Sequence, residues 1–218
     1  MGSDGMPTEK SGGVNWIDWG SDKDGAATQA TWYYMALKAA KKMAIVLGEN
    51  DDISWYDSRI QSIEQSYENK YWRGNRYNTS GKPIEERVSS LAVLSGLANE
   101  NHYNTLVNEV LFPVRKSSPH MEWLAEEALM KMGHPEKALT RMKEVYNFQI
   151  IKPDLTTLYE RFDTDPKGSL GTPNHAWNAP NYVMSRYITG IKATEVAWSA
   201  YEVCPTLANL TSFKTTVP

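Results

Sequence analysis

Helical periodicity, repeated along the chain, is the feature that most constrains its fold. From residue 28 to residue 47 apolar side chains recur at intervals of three and four, the spacing of one face of an α-helix. Gly48 follows the last of them, and glycine commonly ends helices. The same spacing predicts further helices over 53–67, 84–98, 103–111, 121–132, 135–145 and 180–188. The sequence therefore predicts an all-α fold.

Polar residues and prolines predict where several of these helices begin. Asp52 stands where its side chain can cap the second helix. Ser118 followed by Pro119 is the favoured order of cap and first helical residue for the fifth helix. Pro135 is expected to open the sixth helix.

The loops between the predicted helices alternate between short and long. Antiparallel neighbouring helices place successive loops at opposite ends. The long loops, over 71–83, 112–118 and 147–178, are therefore expected at one end. A helical toroid with a single working face has this asymmetry. The alternative, a binding solenoid, would need a recurring repeat motif, and the sequence has none.

The pattern changes after Gly190. Residues 200–203 and 210–217 alternate in polarity and are rich in β-branched side chains, which predicts short strands. The expected organisation is a cloning-derived or disordered leader over 1–13, a helical-hairpin portion over 14–199, and strands over 200–218 leading toward a β-domain.

The composition argues against several kinds of partner and site. A net charge of −3 without a basic stretch disfavours nucleic acid, and no apolar run is long enough to span a membrane. The single cysteine, Cys204, has no disulfide partner. No ligand spacing is found among the four histidines His102, His120, His134 and His175. No metal or cofactor is therefore expected.

Tryptophan and tyrosine are abundant, with 8 Trp and 12 Tyr against 4 Phe. These amphipathic rings suit surfaces that are partly apolar and partly hydrogen-bonding. Sugar rings, with an apolar C–H face and hydroxyl edges, are such partners. The alternative is that the rings fill a helical core.

The longest loop holds the densest set of candidate site residues. Glu160 is flanked by aromatic residues, a setting that can adjust the pKa of a carboxyl for acid or base work. Asn174 and His175 can donate hydrogen bonds to hydroxyls, and Trp177 can stack on a sugar ring. The alternative is that Glu160 pairs with Arg161 or a nearby lysine in a purely structural role.

A second candidate cluster lies near the N-terminus. Asp18 is bracketed by Trp16 and Trp19, and carboxylates bind vicinal hydroxyls through both oxygens. The sequence predicts a sugar-binding wall here. A capped loop before the first helix is an equal alternative.

These segments resemble a known family. Residues 156–162, TTLYERF, and 174–177, NHAW, resemble motifs of the α-L-rhamnosidases of glycoside hydrolase family 78, members of the six-hairpin glycosidases. Further segments agree in the same order, at 16–20, 91–98, 117–122, 187–192 and 214–218. The resemblance runs from about residue 14 to residue 218. Tyr159 stands where the family usually has tryptophan.

The resemblance implies a fold and a mechanism. It implies part of an (α/α)6 barrel in which two carboxyl groups hydrolyse a glycosidic bond with inversion. Glu160 falls on the family's general base. The implied substrate is a carbohydrate, bound by residues expected to line the pocket: Asp18, Trp19, Asn174, His175 and Trp177. The implied location is the bacterial periplasm or the cell exterior.

One departure from the family matters more than these agreements. The general acid lies in an earlier segment of the form DER-x-GW, and no such segment precedes Trp16 here. About seven helices are also predicted, where a complete barrel has twelve. The expectation is a C-terminal fragment of a rhamnosidase-like hydrolase, inactive by itself, whose open barrel edge promotes self-association. Alternatives are a glycan-binding or pseudo-enzyme module, or a hydrolase of another sugar.

Overall fold

The computed structural model describes residues 2, 4–8, 17–19, 22–151, 157–162, 168–169, 171–173 and 179–216. The chain divides into two compact units, Met1–Lys116 and Ser117–Pro218. Among the described helices, none is long and apolar enough to cross a membrane. The predicted all-α character is confirmed, whereas the proposed domain boundaries stay a prediction.

The first unit contains a set of helices, two of which pack on α1. Its elements are α1 (Gly25–Leu47), α2 (Ile53–Tyr71), α3 (Glu86–Ser95), α4 (Tyr103–Leu106) and a π-helical turn (Val107–Leu111) that continues α4. Helix α1 packs against α2 and α3. Buried apolar side chains from these helices form the core, which includes Leu37, Ile63, Tyr67, Leu91 and Leu106.

Helix α1 begins three residues before the predicted start because Asp24 caps it. One Asp24 carboxylate oxygen accepts from the backbone N–H of Ala27 at 3.1 Å. The same oxygen accepts from the hydroxyl of Thr79 at 2.8 Å, which ties the 72–85 connection to the start of α1. The predicted end at Gly48 is confirmed, with a left-handed φ of +77°.

Two details of the predicted helices in this unit are wrong. Asp52 does not cap α2 through its side chain, because a 3-10 turn (Asn50–Asp52) leads into the helix. Helix α3 ends at Ser95, earlier than predicted, because Gly96 takes a left-handed conformation that terminates it.

The second unit combines helices with a short hairpin. Its elements are α5 (Glu122–Lys131), α6 (Pro135–Ile150), α7 (Ala179–Val183), a π-helical turn (Met184–Ile188), β1 (Ile191–Ala193) and β2 (Tyr201–Val203). Helix α5 packs against α6 and α7. Pro135 opens α6 as predicted. Ser118 is followed by a turn in which its carbonyl accepts from Met121 and Glu122 at 3.0 Å, so α5 begins later than predicted.

The C-terminal strand prediction is confirmed at one of its two positions. Strand β2 pairs antiparallel with β1, with Lys192 opposite Glu202. The structure gives no strand over the described residues 210–216. Gly190 precedes β1 at a φ of +65°, where the carbonyl of Cys204 occupies the space that a Cβ would need.

Candidate active site

Glu160 lies in a short extended segment that pairs with residues 171–173. Tyr159 forms an antiparallel β-bridge with Pro173. The backbone N–H of Glu160 donates to the carbonyl of Thr172 at 3.2 Å. The backbone on both sides of the bridge is therefore held, and the half-buried side chain of Glu160 turns back onto its partner segment.

Thr172 provides two hydrogen-bond donors to the Glu160 carboxylate. Its backbone N–H lies 3.0 Å from Oε2, and its hydroxyl lies 2.9 Å from the same oxygen. The backbone N–H of Thr172 and then its hydroxyl lower the pKa of Glu160, while the charge of Arg161 contributes less. Glu160 is thus a carboxylate at neutral pH. Thr172, rather than Arg161, is its principal partner.

Gly171 allows the two segments to approach this closely. It has a φ of +84°, and a Cβ built on it would lie 2.7 Å from the Glu160 Cβ and 2.6 Å from Oε2. Any larger residue would therefore displace the glutamate side chain. Only glycine combines this conformation with the missing side chain.

Gln149, near the end of α6, holds the Glu160 segment from another direction. Its side chain is buried, accepting from the backbone N–H of Tyr159 at 2.8 Å and donating to the carbonyl of Arg161 at 2.5 Å. Sequence reasoning missed this residue. The available signal was its position, since Gln149 continues the inward face of α6 that passes through Met142 and Val145.

The aromatic flank of this segment packs on the same helix. The rings of Phe162 and Tyr146 meet edge to face with centroids 4.9 Å apart. Tyr146 is fully buried, and its hydroxyl donates to the carbonyl of Pro119 at 3.2 Å. The expected partly apolar setting of the Glu160 segment is therefore present on this side.

Helices α5 and α6 also carry buried charged side chains. Glu122 and Arg141 form a buried pair through both carboxylate oxygens, with Arg141 Nη2 2.8 Å from Oε2. Glu126, one turn along α5, is fully buried, and neither of its oxygens has a hydrogen-bond partner. Burial and then the Glu122 charge raise the pKa of Glu126 well above its usual range, which favours the neutral form of this carboxyl.

In the first unit Asp18 is buried in an ion pair. Its Oδ2 accepts from Nη1 of Arg87 at 2.7 Å, and its Oδ1 accepts from the backbone N–H of Trp19 at 2.8 Å. The Trp19 side chain, by contrast, is 44% exposed. The Asp18 carboxylate therefore supports the chain beside an accessible indole, and direct contact of Asp18 with a sugar stays a prediction.

Arg87 connects Asp18 to the start of α3. Its Nε donates to Glu85 at 2.7 Å, and Glu85 also caps α3 by accepting from the backbone N–H groups of Arg87 and Val88. Burial lowers the pKa of Arg87, but Glu85 and Asp18 together outweigh that effect and raise it. Sequence reasoning assigned these charges no role. The signal was three consecutive charged residues, 85–87, directly before an apolar helical face.

Three of the predicted binding residues lie outside the described residues: Asn174, His175 and Trp177. Their predicted roles stay predictions. Within the described part of the chain, no group of three or more His, Cys, Asp or Glu side chains is placed to hold a metal ion.

Solved structures of several α-L-rhamnosidases share this fold. The family 78 rhamnosidase of Bacillus sp. GL1 matches with a TM-score of 0.76 and 19% identity, over 95% of this chain and 24% of that chain. The Streptomyces avermitilis α-L-rhamnosidase, solved with L-rhamnose, matches with a TM-score of 0.68 and 19% identity, over 94% and 21%. The Aspergillus terreus enzyme matches with a TM-score of 0.68 and 14% identity, over 85% and 23%.

These matches show that the chain has the fold of a helical portion of these rhamnosidases. The chain spans about a quarter of the length of those proteins. The family model for the bacterial alpha-L-rhamnosidase 6 hairpin glycosidase domain matches residues 4–187. The chain belongs to this family, which confirms the resemblance seen in its sequence. A comparison with curated proteins finds no match.

Proposed function

We propose that this chain is part of a glycoside hydrolase that removes terminal α-L-rhamnosyl or related residues from glycans, with Glu160 as the general base. The observation that carries the proposal is the Glu160 carboxylate, which Thr172 holds in its charged form through two hydrogen bonds. A general base must be unprotonated to accept a proton, and a lowered pKa keeps it so.

The proposed reaction is a single displacement with inversion. Glu160 takes a proton from a water molecule, whose oxygen attacks the anomeric carbon as the glycosidic bond breaks on the opposite face. The leaving oxygen receives a proton from a carboxylic acid. We propose that this acid comes from a segment outside these 218 residues, because the family's acid motif is absent ahead of Trp16.

We propose a rhamnose-type sugar as the substrate because of family membership and the rhamnosidase relatives. Trp19, which is half-exposed next to the buried Asp18, is proposed to stack on the sugar. Asn174, His175 and Trp177 are proposed to contact its hydroxyls and ring face, with Asp18 as a further ligand or as the support for Trp19.

Hydrolysis of 4-nitrophenyl α-L-rhamnopyranoside tests the proposal. The 218-residue chain and the longest open reading frame that contains it are assayed in parallel, each also as Glu160→Gln. NMR should show that the long protein releases β-L-rhamnose first. Glu160→Gln should lower its rate of hydrolysis about 10²- to 10⁴-fold. The 218-residue chain should be inactive. First release of α-L-rhamnose, or an unaffected variant, would overturn the assignment.

A glycan-binding module is the second candidate, and the exposed indole of Trp19 favours it. If the open reading frame supplies no acid motif, the long protein should bind rhamnose without hydrolysing it. The hydrolysis assay distinguishes the two candidates, and calorimetric titration with L-rhamnose measures the binding, using Trp19→Ala to test the stacking surface. Trp55→Ala serves as the control, because Trp55 is similarly exposed at 49% and lies on α2.

A further inference from the structure

The side-chain amide of Gln149 forms hydrogen bonds, through both its oxygen and its nitrogen, with the backbone on either side of Glu160. The carbonyl oxygen of the amide accepts from Tyr159 N–H, and its nitrogen donates to the Arg161 carbonyl, at 2.8 and 2.5 Å. The bonded peptide groups belong to the residues immediately before and after Glu160. The amide therefore brackets the glutamate without touching its carboxylate.

The Gln149 amide that binds the backbone on both sides of Glu160 is itself buried. Gln149 is 2% exposed, so its amide relies on these two protein partners for its hydrogen bonds. The segment has a second attachment, the β-bridge between Tyr159 and Pro173. Glu160 is thus held between the end of α6 and residues 171–173.

The carboxylate contacts depend on this placement. The Thr172 hydroxyl and N–H reach a single oxygen of Glu160 at 2.9 and 3.0 Å. Hydrogen bonds weaken steeply with distance and angle, so a displacement of the 159–161 backbone would reduce both. Arg161, the charged residue that also acts on Glu160, contributes less to its pKa than Thr172 does.

We propose that Gln149 is a positioning residue for Glu160. By fixing the peptide groups of Tyr159 and Arg161, it places the glutamate where Thr172 can hold the carboxylate in its charged form. Only the effect of Gln149 on catalysis rests on the proposed function. The placement of the carboxylate can be tested without any turnover.

The test is a ¹³C NMR titration of the Glu160 carboxyl in the full 218-residue chain, assigned with Glu160→Gln. The variants are Gln149→Met, which matches the side chain in size without its hydrogen bonds, and Thr172→Val. Both should raise the pKa of Glu160 towards the ordinary value for glutamate. Thr172→Ser, which keeps the hydroxyl, and Gln65→Met, at an exposed glutamine of α2, should leave it unchanged.

A merely structural role for Gln149 gives a different result. In that case Gln149→Met would lower the thermal unfolding midpoint and leave the pKa of Glu160 in the folded protein unchanged, which would overturn the proposal. Should Gln149→Met fail to fold, Gln149→Asn is measured instead. Its amide is one methylene too short to keep both bonds, and it should raise the same pKa.

Kinetics of the longer open reading frame separate this proposal from the proposed function. Gln149→Met should lower kcat about 10- to 100-fold with little change in KM, and the acidic limb of its pH–rate profile should move upward with the pKa of Glu160. If the NMR pKa rises but kcat and the profile do not change, Gln149 still positions Glu160, and Glu160 is not the base.

Discussion

Thr172 donates two hydrogen bonds to the same carboxylate oxygen of Glu160, one from its backbone N–H and one from its hydroxyl, at 3.0 and 2.9 Å. Two donors on one oxygen favour the charged form of the carboxyl and fix its rotamer. The other oxygen, Oε1, takes no part in these bonds. Under the proposed function, we expect Oε1 to face the attacking water.

Gly171→Ala should disturb this arrangement by crowding the glutamate. The new methyl group would lie 2.7 Å from the Glu160 Cβ, closer than side-chain carbons approach in proteins. We expect the pKa of Glu160 to rise, because the carboxylate must move away from Thr172. The same ¹³C titration measures the change.

Gly168→Ala is the matched control for that variant. Gly168 has a similar φ of +80°, so alanine suffers the same backbone strain of about 1–2 kcal/mol. Among the described residues, however, no heavy atom lies within 4 Å of its Cβ position. It should lower stability without moving the pKa of Glu160. Equal effects of the two variants on that pKa would contradict the steric explanation.

Arg87→Met should destabilise the protein strongly. Arg87 pairs with Asp18 and Glu85, all three of them buried, and the variant leaves two carboxylates without their cation. Breaking a buried pair in this way costs about 3–5 kcal/mol. Urea denaturation followed by circular dichroism gives the free energy of unfolding.

The comparison variant is Lys41→Met, which removes a surface ion pair with Asp57. The two side chains are 30% and 53% exposed, and such pairs contribute about 0–1 kcal/mol. A loss for Arg87→Met no larger than that for Lys41→Met would show that the buried network contributes little to stability.

Glu126→Gln should stabilise the protein in a pH-dependent manner. The pKa of Glu126 is raised in the folded state, whereas in the unfolded chain it is about 4.3. Above that pH the unfolded state loses a proton that the folded state keeps. Wild-type stability therefore falls by up to about 1.4 kcal/mol per pH unit until the folded pKa is reached.

The variant removes this proton difference because glutamine does not titrate. Wild type and Glu126→Gln should have similar free energies of unfolding near pH 4 and diverge as the pH rises, with the variant more stable. Glu195→Gln, at an exposed bend, should follow the wild type. Parallel curves for Glu126→Gln and wild type would contradict a neutral buried carboxyl.

The sequence predicted the helices well because their apolar spacing and glycine stops are local signals. Gly48 and Pro135 bound α1 and α6 as expected. The errors arose where a non-local contact decides the boundary. Asp24 caps α1 and also accepts a hydrogen bond from Thr79. Residues 191–193 form a strand because they pair with residues 201–203.

For the site, the motif resemblance led to Glu160 but not to the residues that hold it. Thr172 and Gln149 act through contacts with residues 10 to 12 positions away in the chain. A polar residue on an inward helical face was the one local sign of Gln149. Asp18 is predicted to line a sugar-binding wall, and its buried ion pair with Arg87, 69 residues later, is a non-local contact that no sequence pattern indicates.

Self-association through an open edge stays a prediction, and exposed apolar residues at the end of α1 offer a surface on which self-association can be tested. Val46 and Leu47 are 85% and 74% exposed. Clusters of this kind commonly mark interaction surfaces. Light scattering over a concentration series should show dimers or larger species, reduced in the double variant Val46→Lys and Leu47→Lys. Asn50→Lys is the charge control, and a monomer at every concentration would contradict the prediction.

Azide rescue of Glu160→Ala tests the proposed base most directly. In the longest open reading frame that contains this chain, the variant should lose about 10²- to 10⁴-fold in the hydrolysis of 4-nitrophenyl α-L-rhamnopyranoside. Azide needs no base, so it should attack the anomeric carbon, restore release of 4-nitrophenol and form β-L-rhamnosyl azide. Undiminished hydrolysis by the variant, or a loss of activity that azide does not restore, would contradict the assignment of Glu160.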